Sequence, residues 1–137
     1  MTAPEPREID PDVIELATRV FAMAREGDTD QLVAHVDAGV PVDLTNHHGD
    51  TLLVLAAYYV RADTVAALLE RGADTGRVND RGQTALAAAV FRQSVAIVVA
   101  LLAAGADPDA GGPSARETAA FFALPEMTAL LDGHPAG

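Results

Sequence analysis

The segment Leu68-Leu69-Glu70-Arg71-Gly72-Ala73-Asp74 returns further along the chain as Leu101-Leu102-Ala103-Ala104-Gly105-Ala106-Asp107. The two copies are 33 residues apart, as Gly72 and Gly105 show (105 − 72 = 33). Gly39 lies 33 residues before Gly72, and Thr51 lies 33 residues before Thr84. A period of this length is typical of stacked-repeat proteins, because one unit cannot bury its apolar face without its neighbours. The sequence therefore predicts a solenoid, an architecture that usually serves as a binding surface.

The composition indicates a small helical core made of short side chains. The chain has 137 residues, of which 50% are hydrophobic and only 4% aromatic, so Ala, Leu and Val must build the core. Small side chains let helices approach closely but bury little area per residue. The nine basic residues are all Arg, which together with the many Ala residues suggests a GC-rich bacterial genome.

The termini and the apolar runs predict a cytoplasmic protein. Residues 1–10 are acidic, contain Pro and lack the apolar stretch of a signal peptide, and we expect them to be disordered. The longest apolar run, residues 95–104, is much shorter than the ~20 residues that a membrane-spanning helix needs.

The charge balance restricts the partners. The net charge is −11, and a strongly negative surface repels nucleic-acid phosphates and anionic lipids, so we expect neither nucleic acid nor membrane as a partner. The same charge would favour a basic protein partner through the encounter rate, although it can serve solubility alone. With no cysteine, disulfides and zinc–cysteine sites are excluded.

The chain is predicted to form one all-α domain over residues 11–134, with units at about 11–49, 50–82, 83–115 and 116–134. Asp28 with Gln31 and Ser114 with Glu117 have the spacing of capping boxes, which begin helices. The fourth unit is degenerate, as expected of an end cap. We expect it to keep the register of the other units, which would place Leu130 and Leu131 where the third unit has Ile97 and Val98.

These motifs resemble ankyrin repeats over about residues 11–134. The family's unit begins Gly-x-Thr-Pro-Leu-His and continues with Ala-Ala, Val-x-x-Leu-Leu and Gly-Ala-Asp. Here the matching stretches are 49–53, 56–57, 65–69 and 72–74, and in the following unit 82–86, 98–102 and 105–107. Tetratricopeptide repeats have a similar period but lack the Gly-Ala-Asp ending. The resemblance implies stacked antiparallel helix pairs joined by hairpin-like turns.

The sequence also departs from the family pattern. The family's Pro is Leu52 and Ala85, its His is Val54 and Ala87, and its later helix-ending Gly is Val60 and Gln93. The hydrogen bonds that this His usually makes between units are therefore missing, so the departures concern the stability between units.

The resemblance implies that a protein partner contacts the hairpin tips and the exposed face of the first helix of each pair. It brings no catalytic residues and no cofactor. Residues that fall at the tips are His47, His48, Asp50, Asp80, Arg81, Gln83, Pro113, Ser114 and Arg116. Residues that fall at the ends of the first helices are Arg25, Glu26, Tyr58, Tyr59, Phe91 and Arg92. Tyr and Arg are enriched in interface hot spots, although Tyr58 or Phe91 could instead pack as core.

Other functions remain open at this point. His47, His48 and Asp50 could form a metal or acid–base site, with a third ligand from Asp43, Asn79 or Asp80, although adjacent histidines in an extended turn tend to point apart. The acidic surface could mask a basic partner, as an inhibitor or antitoxin does. We expect a monomer or weak self-association.

Overall fold

The computed structural model describes residues 10–133, which form eight α-helices. Most of the predicted disordered segment and the end of the predicted domain, His134, lie outside the described residues. The helices are α1 (Pro11–Glu26), α2 (Thr29–Asp37), α3 (Leu52–Tyr58), α4 (Ala62–Glu70), α5 (Ala85–Phe91), α6 (Val95–Ala103), α7 (Ala115–Phe121) and α8 (Pro125–Gly133).

The helices form two layers. In the inner layer α1, α3, α5 and α7 each contact the next, and in the outer layer α2, α4, α6 and α8 do the same. Each inner helix also packs on the outer helix that follows it, because only a short link separates the two. Longer hairpin-like turns lead from each outer helix to the next inner helix. The predicted all-α solenoid of stacked helix pairs is confirmed.

Each inner helix of units 2–4 begins at a hydroxyl side chain that caps it. The Thr51 hydroxyl accepts a hydrogen bond from the Val54 N–H, and the Thr84 hydroxyl accepts one from the Ala87 N–H. Such N-caps satisfy backbone donors that the first helical turn leaves unpaired. Ser114 completes the predicted capping box with Glu117. The capping box predicted at Asp28 is wrong, since no side-chain bond caps α2 there.

The core is densest around α5, which lies between α3 and α7. Every residue from Ala85 to Val90 is at most 1% exposed, which requires small side chains on all faces of the helix. Larger side chains fill the space between the layers, among them Leu68, Leu101 and Leu131. Each fully buried Leu contributes roughly 1.5–3 kcal/mol relative to an exposed one.

Hydrogen bonds other than those of the family's His connect neighbouring units. The Arg71 guanidinium donates to Asp37 of the preceding unit over 2.9 Å, and the Asp74 N–H donates to the Asp43 carboxylate over 2.9 Å. These bonds connect neighbouring units in a chain that lacks the family's His.

The prediction that the fourth unit keeps the register of the others is wrong. Ser114 follows Thr84 at a shorter interval than Thr84 follows Thr51, because the turn that precedes α7 is three residues shorter than the turn that precedes α5. The residues buried on α8 are therefore Met127 and Leu131, while Leu130 is only partly buried. The sequence suggested an ungapped register because Leu130-Leu131 resembles the apolar pair Ile97-Val98. In the structure these two pairs do not occupy equivalent positions on α8 and α6.

Candidate protein-binding surface

The inner helices of units 2–4 all end in an aromatic residue. Tyr58, Phe91 and Phe121 are the last residues of α3, α5 and α7, each seven positions after its N-cap. Phe122 follows Phe121 as Tyr59 follows Tyr58. We call these five side chains the aromatic edge. It lies where the chain turns from the inner to the outer layer.

The rings of the aromatic edge contact one another across three units. The Tyr58 and Phe91 rings are stacked, with centroids 6.3 Å apart and planes at 8°. Phe91 meets Phe122 edge-on at 5.3 Å, and Phe122 meets Phe121 edge-on at 4.9 Å. Tyr59 extends the row beyond Tyr58 at 5.4 Å. These separations are those of favourable aromatic pairs, so the row forms one continuous surface.

Much of this surface is open to solvent. Phe121 is 79% exposed, and Tyr59, Phe91 and Phe122 are between 41% and 49% exposed, while Tyr58 is only partly buried. The alternative that Phe91 packs as core is therefore wrong, whereas Tyr58 is packed in part against the core. Phe121 and Phe122 were absent from the predicted site, because an ungapped register aligns neither of them with Phe91. Counting from the helix-capping Ser114 would have found both.

Arg92 lies in the middle of the aromatic edge. Its Nη1 donates to the Tyr58 carbonyl over 3.0 Å, and its guanidinium carbon is 5.4 Å from the centre of the Tyr58 ring. This distance is within the range of a cation–π contact. The guanidinium makes no ion pair within residues 10–133, so it presents its charge to solvent.

The hairpin tips form a second exposed row. His47, His48, Asp80 and Arg81 are all exposed there. The Asp80 N–H donates to the His48 carbonyl over 3.0 Å, which stacks one tip on the next. The two histidine rings contact each other with centroids 3.9 Å apart. Gln83 is partly buried and Ser114 is 2% exposed, so Ser114 serves as a helix cap and not as a tip contact.

Asp50 does not lie at an exposed tip, contrary to the prediction. It is 9% exposed, and its carboxylate accepts a hydrogen bond from Asn79 Nδ2 of the next hairpin over 2.9 Å. Asn79 Oδ1 accepts from the N–H groups of Arg81 and Gln83. A buried carboxylate needs such a donor. Asp50 therefore connects two hairpins from inside.

The tips and the aromatic edge do not meet. His47 and His48 precede the N-cap of α3, and Tyr58 ends that helix, so the helix itself separates the two rows by about 10 Å along its axis. The predicted contact residues therefore form two separate rows, one at each end of the inner helices.

The geometry gives little support to a metal or acid–base site. Within the part of the chain that the structure describes, no three His, Cys, Asp or Glu side chains come together as metal ligands. The Asp50 carboxylate is bonded to Asn79 and buried, so it does not join His47 and His48.

No helix among residues 10–133 has the length and apolarity needed to cross a membrane.

A separate apolar groove lies on the first unit. Its volume is about 440 Å³, and α1 and the turn after α2 line it with side chains that include Val13, Leu16, Val20 and Leu44. His35 also lines it, with Nδ1 2.8 Å from the Gln31 carbonyl oxygen.

The comparison with protein families agrees with this architecture. A family model described as ankyrin repeats, in three copies, matches residues 20–111. The chain belongs to the ankyrin repeat family. A Pseudomonas aeruginosa protein provisionally named as an ankyrin repeat protein is 42% identical over 63 residues, which cover 46% of this chain and 36% of that protein. The match thus spans only about a third of its length. Ankyrin repeats indicate a protein–protein interaction module.

Proposed function

We propose that the chain is a non-enzymatic adaptor or regulatory subunit that binds a protein partner through the aromatic edge. The observation that carries the proposal is the placement of the aromatic residues. The chain has two Tyr, four Phe and no Trp, and five of these six side chains form the aromatic edge. The sixth, Phe21, is buried. Exposed apolar rows of this kind mark interaction sites, and Tyr and Arg are frequent in hot spots.

The backbone beside the aromatic edge supports the proposal. Val60, Gln93 and Ala123 follow the aromatic positions of the three units, and their φ angles are 60°, 57° and 52°. Left-handed backbone costs non-glycine residues on the order of 1 kcal/mol or more, and Val60 is β-branched and 39% exposed. The first unit has Gly27 at the equivalent position. A β-branched residue in left-handed backbone beside the aromatic edge supports a role of this segment in binding, because such backbone is concentrated at functional sites.

Two other functions have weaker support. An acid–base enzyme would need Asp50 beside His47 and His48, and Asp50 is bonded to Asn79 instead. An inhibitor of a basic protein is favoured only by the net charge of −11, and strong salt dependence of association would support it. The cytoplasmic location remains a prediction from the sequence.

The test is affinity capture from a lysate of the source organism, with mass spectrometry, using wild type and the Tyr59→Ala/Phe121→Ala variant. Both side chains are exposed, so their truncation should leave the fold intact. We expect one protein retained by wild type and lost by the variant, since a hot-spot side chain contributes about 2 kcal/mol or more. Val99→Ala is the matched control, because Val99 is 48% exposed on the outer helix α6.

A captured protein that the double variant retains as well as wild type would refute the assignment of this surface. Equal loss by the Val99→Ala control would show that general apolar contact, and not the aromatic edge, holds the captured protein. Circular dichroism of each variant establishes that the fold is kept.

A further inference from the structure

We propose that the aromatic edge recognises an acidic segment of the partner protein, in which a carboxylate side chain neighbours apolar ones, and that Arg92 binds the carboxylate. The inference rests on the proposed function, since it names the chemistry of the partner for the same surface. It runs against the basic partner that the net charge favours.

The first support is the local charge. The chain has 20 acidic residues, yet none occurs between Arg81 and Ala106. That stretch contains the whole helix pair α5 and α6, and with it Arg92, the cation in the middle of the aromatic edge. A contact responds to the charges within about 10 Å, because salt screens those farther away. The helix pair α5 and α6 therefore contributes apolar and cationic side chains, and no acidic ones, to this surface.

The second support is the way in which Arg92 is held. Its Nη1 is bonded to the Tyr58 carbonyl, and its planar group lies near the Tyr58 ring. Since a guanidinium has five N–H donors, several remain for a ligand. A side chain that is already fixed loses less conformational entropy on binding. Arg71, Arg77 and Arg116, by contrast, are each paired with carboxylates of the chain.

The third support is the series of arginines along the same side of the stack. The Arg61 Nε donates to the Arg25 carbonyl over 2.8 Å, as Arg92 donates to that of Tyr58. Arg61 makes no ion pair in residues 10–133. Glu26 and Asp63 lie beside it in one shallow depression, so Arg61 is locally compensated. Arg92 lies in the acid-free stretch, and it is therefore the residue that we expect to bind the carboxylate.

Apolar groups on the partner follow from the neighbouring rings. The Tyr58 ring, which Arg92 contacts, is stacked on Phe91 and meets Tyr59 edge-on. Phe91, Tyr59 and Phe122 are each more than 40% exposed. A carboxylate bound at Arg92 would place the neighbouring partner side chains on these rings. Charge-assisted bonds to a guanidinium add geometric specificity to apolar contact.

The experiment is selection of a random 12-residue peptide display library on immobilised wild-type protein, followed by fluorescence-anisotropy binding of the enriched peptides. We expect enriched peptides that combine Asp or Glu with apolar residues. Arg92→Gln should raise their Kd about tenfold or more, the usual size for a lost bond between charged groups. Arg77→Gln is the matched control, because Arg77 is similarly exposed on a hairpin but pairs with Asp74, and it should change Kd less than about twofold.

A second measurement isolates the contact. Replacing the carboxylate of an enriched peptide with its amide should weaken binding to wild type and leave binding to Arg92→Gln nearly unchanged. Enriched peptides that are basic or neutral, an Arg92→Gln variant with wild-type affinity, or the absence of any enriched peptide would overturn the inference. Loss of binding in Tyr59→Ala/Phe121→Ala but not in Arg92→Gln would overturn only the acidic partner. Equal binding to all variants would overturn the proposed surface as well.

Discussion

Asn79→Ala should destabilise the protein, because the Asn79 side chain is buried between two hairpins and bonds to both. Asn79 is 6% exposed, and its side chain makes three close hydrogen bonds besides a longer one, of 3.4 Å, that its Nδ2 donates to Gln83 Oε1. Two are accepted from the backbone N–H groups of Arg81 and Gln83. Losing each should cost about 1 kcal/mol, because water near the surface can replace part of the hydrogen bonding. The third is donated to the Asp50 carboxylate, whose burial without a donor costs about 1–3 kcal/mol. The expected loss in the free energy of unfolding is therefore about 3 kcal/mol.

Asn46→Ala is the matched control for this change. Asn46 occupies the same place in the preceding hairpin, and its Oδ1 accepts from the N–H groups of His48 and Asp50 over 2.9 and 3.0 Å. Its side chain donates no bond to a buried carboxylate within the described residues. Asn46→Ala should thus cost about 1–2 kcal/mol, the part due to the two backbone bonds. The difference between the two variants measures the Asp50–Asn79 contact.

The assay is urea unfolding followed by circular dichroism. With a slope of about 1–3 kcal/mol per molar urea, a loss of this size moves the midpoint by about 1 M or more. A double-mutant cycle with Asp50→Ala should give a coupling energy of about 1 kcal/mol or more. If Asn79→Ala lowers the free energy of unfolding no more than Asn46→Ala, or if the coupling energy is near zero, the Asp50–Asn79 hydrogen bond does not stabilise the protein.

Three further variants test separate features of the stack. A Cβ at Gly82 would lie 2.5 Å from a carbonyl oxygen of the neighbouring hairpin, whereas one at Gly72 meets nothing within 4 Å; both have positive φ, so Gly82→Ala should lower the urea midpoint clearly more than Gly72→Ala. The hydrogen bond from Arg71 holds the pKa of Asp37 below its usual value, so the pair stabilises the fold above the ordinary Asp pKa and loses this effect as the pH falls through the lower folded-state pKa. Asp37→Asn should flatten that acid limb of stability against pH, and an unchanged limb would contradict the assignment. Val60→Gly should raise the free energy of unfolding by about 1 kcal/mol by relieving the left-handed backbone, and equal or lower stability would show that the strain is absent.

Much of the fold could be predicted from the sequence because the period carries it. The glycines of the repeated Gly-Ala-Asp, Gly72 and Gly105, have positive φ after the outer helices, and the Thr side chains cap the inner ones. The fourth unit could not be placed in the same way. The turn before α7 is three residues shorter, but this leaves the apolar residues of the fourth unit as they are. The pair Leu130-Leu131 is therefore compatible with the ungapped register as well as with the observed one. The capping box at Ser114 and Glu117 marks the start of α7 independently, and it outweighs the Leu pair as evidence.

The hydrogen bonding around Asp50 could also be predicted in part from the sequence. Asn46 and Asn79 recur at the repeat period, each four positions before the residue at the hairpin's end, and a repeated Asn in a turn usually bonds backbone N–H groups. That pattern predicts the local turn. It does not predict that the free amide of one Asn reaches the carboxylate of the previous hairpin, because this contact depends on how closely the units stack. A polar residue at a tip can thus be structural when its neighbour in the next unit supplies a donor.

The charge of the partner cannot be predicted from the net charge of the sequence alone. A net charge of −11 averages over the whole surface, but salt screens charges beyond about 10 Å, so a contact depends on its own neighbourhood. The acid-free stretch from Arg81 to Ala106 can be read in the sequence. Only the fold shows that its Arg92 lies over Tyr58, whose ring contacts the exposed rings of Tyr59 and Phe91. At low salt the net negative charge should slow the approach of the acidic partner that we propose for the aromatic edge, and added salt should speed that association.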